Sequence, residues 1–375
     1  MNDENIAAAG STAGRYVRYT PAVETIEADE HETFQAIIEA MRKEGQTTEE
    51  RYGRAVRTSH AKSHGLLKGE LHVLPGLPEA LRQGLFADAK SYPVIARLAT
   101  VPGEFLDDRK VSTPRGMALK VLGVEGQRLS GHESATTQDF VFDTGKVFPS
   151  PGPKAFLATI KLLQKATPAP EILKQAVSVA SRATNAIFHA VGSDSPNLDF
   201  FGHPKYMPLA ESYYSQAPFR YGDYIAKFRI RPVTPLLVAR AEEKLDLGEN
   251  EDALRYVVAD HLRQEGAEYE IAVQLCTDLD NMPIENAHAE WPEDESPYLP
   301  VARLVFAPQD AFTEARREFV DEQLSFNPAH SLEAHRPLGG LNRARLAAYT
   351  PMAAARRNRN GQPLSEPTSI DQLPV

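Results

Sequence analysis

Short runs in which apolar and polar residues alternate dominate the first 150 residues of the chain. Alternation of this kind, with β-branched residues in the runs and polar turns between them, is typical of half-buried strands. Strand patterns occur at residues 71–75, 92–101, 115–124, 136–144, 224–233, 269–278 and 300–307. Because the first four runs follow one another with little helical pattern between them, the sequence predicts an antiparallel sheet or barrel, not repeated βαβ units.

Apolar residues at helical spacing predict helices around this β-rich part. The first helix is expected to end at Gly45, a typical stop residue. Helical patterns occur at residues 31–45, 77–86 (a short one), 153–190, 250–265 and 309–357. Together with the strands, these helices predict an α+β fold.

The final helical stretch, LNRARLAAYTPMAAARR at 341–357, contains an unusual set of side chains. Arg345, Tyr349 and Arg356 are separated by offsets of four and seven, which return to nearly the same helical face. Pro351 lacks the N–H that an α-helix needs, so a kink is expected just after the tyrosine. Such a face is either ordinary surface or a site for an anionic group.

The chain of 375 residues contains no internal repeat and no clean linker. We therefore expect an N-terminal arm or disordered leader at 1–30, one large domain at 31–357 and a C-terminal tail at 358–375.

The formal net charge of −10 argues against general nucleic-acid binding. No signal-like segment and no apolar stretch long enough to cross a bilayer is present, so a cytoplasmic location is expected. The single cysteine, Cys276, is expected to be a buried strand residue.

Several common catalytic signatures are missing from the sequence. It contains no G-x-G-x-x-G, no Walker A sequence and no G-x-S-x-G. Dinucleotide-dependent hydride transfer, P-loop chemistry and nucleophile-elbow hydrolysis are therefore disfavoured.

Three other stretches contain side chains that suggest chemistry. His60 and His64 in RTSHAKSHG have a spacing compatible with zinc on a helix, although Gly65 favours a loop with two solvated histidines. Arg97 interrupts an apolar strand, where it either faces an anion or lies at the rim. Asp143 ends a strand, where a carboxylate is usually a turn residue.

Taken in order, these stretches resemble the haem catalase superfamily. RTSHAKSHGLLKGELHV looks like the segment of the distal histidine, and ARLATVPGE followed by STPRGMALKV is similar to two strands of that family. LNRARLAAYTPMAAAR matches the proximal helix in the spacing of its arginines and tyrosine. The resemblance implies a catalase-like antiparallel barrel of about eight strands with surrounding helices, and a haem, expected to be haem b, buried between the barrel and the C-terminal helix.

The resemblance also implies roles for individual residues. Tyr349 would be the axial phenolate on the iron, and Arg345 would hydrogen-bond to that phenolate. His60 would be the distal acid–base group. The remaining cofactor-binding residues would be Arg57, Arg97 and Arg356 for the haem propionates, Val101 on the distal side and Phe148 near the haem edge.

Three distal positions differ from the family pattern. Where true catalases have an asparagine beside the histidine, this sequence has Asp143, or Thr144 if the alignment shifts by one residue. An ionised carboxylate accepts hydrogen bonds but donates none. Ala99 replaces a serine that partners the histidine, and Ser59 introduces a hydroxyl next to His60. All three changes affect peroxide handling, and none affects the proximal side.

These departures favour a haem peroxidase that consumes hydrogen peroxide or organic hydroperoxides together with an organic reductant. Two alternatives stay open at this point: rearrangement or cleavage of a fatty-acid hydroperoxide, as in allene oxide synthases, and haem binding without catalysis. By analogy with the family, a homo-oligomer, either a dimer or a tetramer, is expected.

Overall fold

A computed structural model of the chain describes residues 14–166 and 202–374, and its central feature is a closed β-barrel. The sheet order is β5-β4-β3-β2-β1-β9-β8-β7-β6, and an additional pairing of β5 with β7 closes eight of the nine strands into a ring. All strand pairs are antiparallel. The strands are β1 (Ser63–Val73), β2 (Ser91–Thr100), β3 (Arg115–Val121), β4 (Gln138–Thr144), β5 (Tyr213–Tyr214), β6 (Phe219–Tyr221), β7 (Tyr224–Pro232), β8 (Ala267–Leu275) and β9 (Leu299–Phe306). The predicted antiparallel barrel is therefore confirmed.

Helices surround the barrel, as the α+β prediction requires. The α-helices are α1 (Glu30–Tyr52), α2 (Pro153–Ala166), α3 (Pro235–Ala239), α4 (Ala253–Gln264), α5 (Glu314–Glu318) and α6 (Gly340–Asn360). Helices α1, α2 and α6 form one layer, because Phe34 and Ile37 of α1 pack against Ala344 of α6 and against Phe156 of α2. This layer covers the part of the barrel where the candidate site lies.

Both faces of strand β2 are buried, which explains why its sequence is almost continuously apolar. Val94, Ala96 and Leu98 point into the core cluster inside the barrel. Ile95, on the other face, packs in a second cluster outside the barrel that includes Phe326. Arg97 and Ala99 share that outer face. The segment after α5 thus shields the wall of the barrel that carries Arg97.

Several predicted boundaries were wrong. Strand β1 begins at Ser63, not at residue 71, and α1 continues through Gly45 to Tyr52. A Cβ at Gly45 would come within 3.1 Å of the Thr58 side chain, so the glycine permits close packing within the helix. The predicted helix at 77–86 is only a 3₁₀ turn, Gly84–Phe86. Of the helix predicted at 153–190, residues 153–166 are confirmed, and 167–190 lie outside the described residues.

The predicted helical region 309–357 is also more broken than expected. Helix α5 continues into a π-helical turn, Phe319–Gln323, which is followed by extended chain, a 3₁₀ turn at Glu333–His335 and then α6. Helix α6 itself passes through Pro351 and ends at Asn360. A π-helical turn inside a helix often marks a functional position, and this one lies beside the candidate site.

Both ends of the described chain lie against the barrel. The backbone N–H of Val17 donates to Cys276, and that of Tyr19 donates to Asp223. In the tail, Glu366 pairs with the buried Lys120 at 2.8 Å, and Leu373 joins the outer cluster. The division into leader, domain and tail stays a prediction, and residues 1–13 lie outside the described part.

Cys276 is buried, as expected, but it directly follows β8 and is not part of the strand; burial raises the pKa of its thiol to about 12. Within residues 14–166 and 202–374, no helix is long and apolar enough to cross a membrane.

Candidate active site

A cavity of about 1040 Å³ lies between the barrel wall and helix α6. Pockets of this size hold cofactors or drug-sized ligands. All ten residues that the resemblance places at the site line it, although they come from four separate parts of the chain. They are Arg57, Ser59, His60, Arg97, Val101, Asp143, Phe148, Arg345, Tyr349 and Arg356.

One wall of the cavity contains a hydrogen-bonded chain of three side chains. Ser59 Oγ lies 2.9 Å from His60 Nδ1 and donates to the Val101 carbonyl at 3.1 Å. His60 Nε2 lies 2.8 Å from Asp143 Oδ1. The backbone N–H of His60 donates to the same Val101 carbonyl at 2.7 Å. The imidazole is therefore held at both nitrogens, by a hydroxyl and by a carboxylate.

Gly116 of β3 makes room for this arrangement, and the sequence analysis did not identify it. It pairs with Asp143 of β4, and a Cβ on it would lie 2.4 Å from His60 Nε2. His60 itself has φ 57, a conformation that non-glycine residues rarely adopt. A glycine inside a strand often marks a close approach, and that signal was available in the sequence.

The alternatives at positions 143 and 144 are distinguished by the register of β4. Both residues line the cavity, but the Asp143 carboxylate contacts His60, whereas Thr144 Oγ1 accepts a hydrogen bond from the Arg115 backbone. Neighbouring residues on a strand face opposite sides, so a single register places the carboxylate at the site. Asp143 is therefore not merely a turn residue.

A buried group of arginines lies at another side of the cavity. Arg97 donates to the His60 carbonyl at 2.7 Å and to Asp321 Oδ1 at 3.1 Å. Arg57 donates to three carbonyls of the π-helical turn and its exit, those of Val320, Asp321 and Leu324. Asp321, which the sequence analysis missed, thus anchors the two arginines.

Arg356 of α6 completes this group. It is only 8 % exposed, and its Nε and Nη2 atoms have no hydrogen-bond partner within the described part of the chain. Burial, reinforced by the positive charge of Arg97, lowers the pKa of Arg356 to about 10. Burial and the nearby Arg356 and Arg97 likewise hold the pKa of Arg57 well below its usual value.

Positive charge exceeds negative charge in this corner. Glu322 already pairs with Arg54 at 2.8 Å, and Asp321 is shared between Arg57 and Arg97. Buried unpaired charge is costly. The corner therefore fits an acidic ligand.

The opposite wall of the cavity is formed by α6 and Phe148. Burial raises the pKa of the Tyr349 phenol, while the charge of Arg345 one turn earlier opposes that shift. The Arg345 guanidinium lies 5.6 Å from the centre of the Phe148 ring and donates to Asn342 Oδ1 at 3.2 Å. A phenol beside a permanent cation suits a metal ligand that must bind as an anion.

His64 does not join the site. It lies in a bulge of β1, fully buried, and burial keeps its pKa well below the usual value. Because it is buried, His64 is not the solvated loop histidine that was expected. A zinc site with His60 is not supported either, since the described residues contain no group of three or more His, Cys, Asp or Glu that could hold a metal ion.

The solved structures that are similar to this chain include three catalases. Catalase A from Saccharomyces cerevisiae shares 17% identity at a TM-score of 0.56, and the match covers 84% of this chain and 64% of that one. A fungal catalase shares 17% identity at a TM-score of 0.58, and the match covers 84% of this chain and 62% of that one. A bacterial catalase shares 17% identity at a TM-score of 0.55, and the match covers 96% of this chain and 68% of that one.

The chain spans less than two thirds of the length of the first two of these catalases. No model of a protein family matches the sequence, and no curated protein matches it. At this identity the likeness establishes the fold, and the expected catalase-like barrel is confirmed.

Proposed function

From the catalase fold and the side chains around its cavity, we propose that this protein is a haem-dependent peroxidase. Its oxidising substrate is hydrogen peroxide or an organic hydroperoxide, and its reducing substrate is a small organic molecule. The observation that carries the proposal is that three groups line one cavity. They are the buried phenol of Tyr349 beside Arg345, the buried group of arginines that fits an acidic ligand, and the His60–Asp143 pair.

The residues present fit a haem. Tyr349 would ligate the iron, with Arg345 keeping the phenol ionised, and Arg356 and Arg97 offer unpartnered N–H groups to propionates. Arg57 is already bound to backbone carbonyls, so it contributes charge and holds the π-helical turn in place. Phe148 and Val101 supply apolar surface. When bound, a haem would supply redox chemistry at its iron, with the anionic phenolate of Tyr349 as a ligand.

The chain's own part in the reaction is proton transfer. Breaking a peroxide bond requires that one oxygen lose a proton and that the departing oxygen gain one. The His60–Asp143 pair is the acid–base group in the cavity wall, and Ser59 fixes the orientation of its imidazole. The pair therefore takes the proton and returns it.

A second candidate, the rearrangement or cleavage of a fatty-acid hydroperoxide, is favoured by one observation. The cavity wall formed by α1 and α2 is apolar, with Ile37, Met41, Phe156 and Ile160 among its residues. Such a wall suits a hydrocarbon chain. Product analysis with a lipid hydroperoxide distinguishes the two, since a peroxidase yields the alcohol and needs a reductant. The cytoplasmic location and the homo-oligomer stay predictions from the sequence.

The first test is a haem titration of the purified chain followed by visible spectroscopy. A Soret band at one haem per chain is expected, and Tyr349→Phe is expected to abolish tight binding or alter the spectrum. Tyr256→Phe, at an exposed helical position, is the matched control. An unchanged spectrum in Tyr349→Phe would refute the ligand assignment.

The second test adds peroxide and an oxidisable dye to the haem-loaded protein, with oxygen evolution recorded in parallel. Dye oxidation that falls in His60→Gln is expected. A haem-loaded protein without peroxide-dependent oxidation of any dye or lipid would exclude both enzyme candidates and leave haem binding alone.

A further inference from the structure

The C-terminal tail pairs with the chain that leaves the π-helical turn. Ser365 and Leu324 form a parallel backbone bridge that belongs to none of the barrel strands. The N–H of Ser365 donates to the Gln323 carbonyl at 3.3 Å. The bridge therefore fixes the exit of the turn to the tail.

The far end of the tail is held by an apolar contact and by a hydrogen bond. Leu373 is 3% exposed and belongs to the outer cluster, together with Phe319 and Val320 of the turn. Arg316 of α5 donates from Nε to the Pro374 carbonyl at 3.0 Å. The tail is thus attached both to the turn and to the helix that leads into it.

Between these ends, Glu366 binds a buried ion pair. Its Oε2 lies 2.8 Å from Lys120 Nζ, which also pairs with Asp139 at 2.7 Å. Burial opposes charge on Lys120, but the two carboxylates hold the pKa of its amine above the usual value. Ser325 Oγ donates to Glu366 Oε1 at 2.6 Å, and Ser325 lines the cavity. A single side chain therefore separates Glu366 from the cavity.

The turn that the tail restrains also holds two of the buried arginines. The carbonyl of Leu324, the residue that pairs with Ser365, accepts from Arg57 Nη2 at 2.8 Å. Within the turn, Asp321 Oδ1 accepts from Arg97 at 3.1 Å and lies 3.5 Å from Arg57 Nη1. A displaced turn would therefore displace both guanidinium groups.

We propose that residues 365–374 form a strap that holds the π-helical turn, and with it Arg57 and Arg97, in position for an acidic ligand. Glu366 is a positioning residue of this strap. No residue of 365–374 lines the cavity, so the strap acts on a ligand through the turn and through Ser325. Arginines that are ordered before the ligand arrives reduce the entropy cost of binding. Where that ligand is haem, the inference rests on the proposed function.

Two variants loosen the strap at different points. Glu366→Gln removes the charge at nearly unchanged shape, and because Lys120 keeps Asp139, no buried charge is left unpaired. Leu373→Ala reduces the apolar contact at the far end. The matched control is Glu318→Gln, which removes the same charge from an exposed position directly before the turn.

The first experiment measures hydrogen exchange in the haem-free, full-length chain by mass spectrometry. In both strap variants, the amides of residues 319–324 are expected to exchange about tenfold faster, the size of effect that follows the loss of one hydrogen bond to a charged group. Exchange in β8 and in the Glu318→Gln control is expected to stay unchanged. Unchanged exchange of residues 319–324 in either strap variant would overturn the proposal.

The second experiment measures binding of protoporphyrin IX, which carries both propionates of haem but no iron, and of its dimethyl ester, in which the propionates are uncharged. Fluorescence titration is expected to show that affinity for the free acid falls about 2- to 30-fold in the strap variants. Affinity for the ester is expected to stay unchanged. Equal losses for the two porphyrins, or no loss for the free acid, would refute the positioning role.

The two experiments separate a failure of the strap from a failure of the proposed function. A chain that binds neither porphyrin would refute the haem proposal, while hydrogen exchange would still confirm or overturn the strap. Porphyrin binding together with unchanged exchange of the turn would refute the strap and leave the haem proposal standing.

Discussion

Replacing Gly116 with alanine tests whether the close approach of β3 to His60 matters. A Cβ at this position would lie 2.4 Å from His60 Nε2, 2.5 Å from Cδ2 and 3.1 Å from Asp143 Oδ1. Non-bonded carbon atoms prefer separations of about 3.5 Å or more, so the ring must retreat by about 1 Å. That movement would stretch the 2.8 Å bond between Nε2 and Oδ1 beyond hydrogen-bonding distance.

The expected energetic cost follows from these contacts. Overpacking costs about 1–3 kcal/mol, and a hydrogen bond to a charged group contributes about 1.5–3 kcal/mol. The more restricted unfolded chain of alanine returns about 0.4–1 kcal/mol. We therefore expect a loss of roughly 1.5–5.5 kcal/mol in the free energy of unfolding, measured by urea denaturation. A misplacement of this size is also expected to slow the reaction with peroxide about 10²-fold.

Haem binding gives the internal check for Gly116→Ala. The Soret band is expected to stay unchanged, because the atoms nearest to the added Cβ belong to His60 and Asp143 and not to α6, which carries Tyr349 and Arg356. Gly152→Ala is the matched control, since its Cβ would lie 3.7 Å from the Glu285 carbonyl, an ordinary contact. Unchanged stability in urea together with an unchanged rate of reaction with peroxide in Gly116→Ala would refute the steric argument.

Three further predictions concern other buried groups. Arg356→Met removes a buried cation with unpartnered nitrogens, so the haem-free chain is expected to be no less stable in urea. Its affinity for haem is expected to fall about tenfold or more. Unchanged affinity would contradict a contact between Arg356 and a propionate. Burial lowers the pKa of His335 to about 3, so protons bind the unfolded state first as pH falls below about 6.5. Stability is then lost, by about 2 kcal/mol between pH 7 and 5, and His335→Gln is expected to remove that part of the pH dependence in urea denaturation. Cys276 is buried with a raised pKa, so Ellman-type reagents are expected to label it only after denaturation; rapid labelling of the native chain would contradict its burial.

The sequence predicted the parts of the site that depend on local spacing. Arg345 and Tyr349 lie one turn apart on one helix, and a helical period alone places them together. His60 and its neighbour Ser59 are adjacent in the chain. These assignments required no knowledge of the tertiary structure beyond the resemblance that located them.

Contacts between distant segments were not predictable from the sequence. Asp321 meets Arg97 across a separation of 224 residues, and nothing in EFVDEQ distinguishes it from a surface carboxylate. The choice between Asp143 and Thr144 required the register of β4, because a slip of one residue exchanges the two faces of a strand. Strand β5 was missed since two tyrosines in a proline-rich connector carry no alternating pattern.

The shortness of β5 has a mechanical consequence. The ring of eight strands is completed by only two residues, and one of them, Tyr214, is the pairing partner of Asp143. A seam with so few backbone bonds is where a barrel opens first under thermal motion. Such a local opening would free the edge of β4 at Asp143, while the pairing of Asp143 with Gly116 on β3 stays in place. The carboxylate proposed for proton transfer therefore lies beside the shortest pairing of the barrel, and native-state hydrogen exchange is expected to be fastest at β5 among the barrel strands.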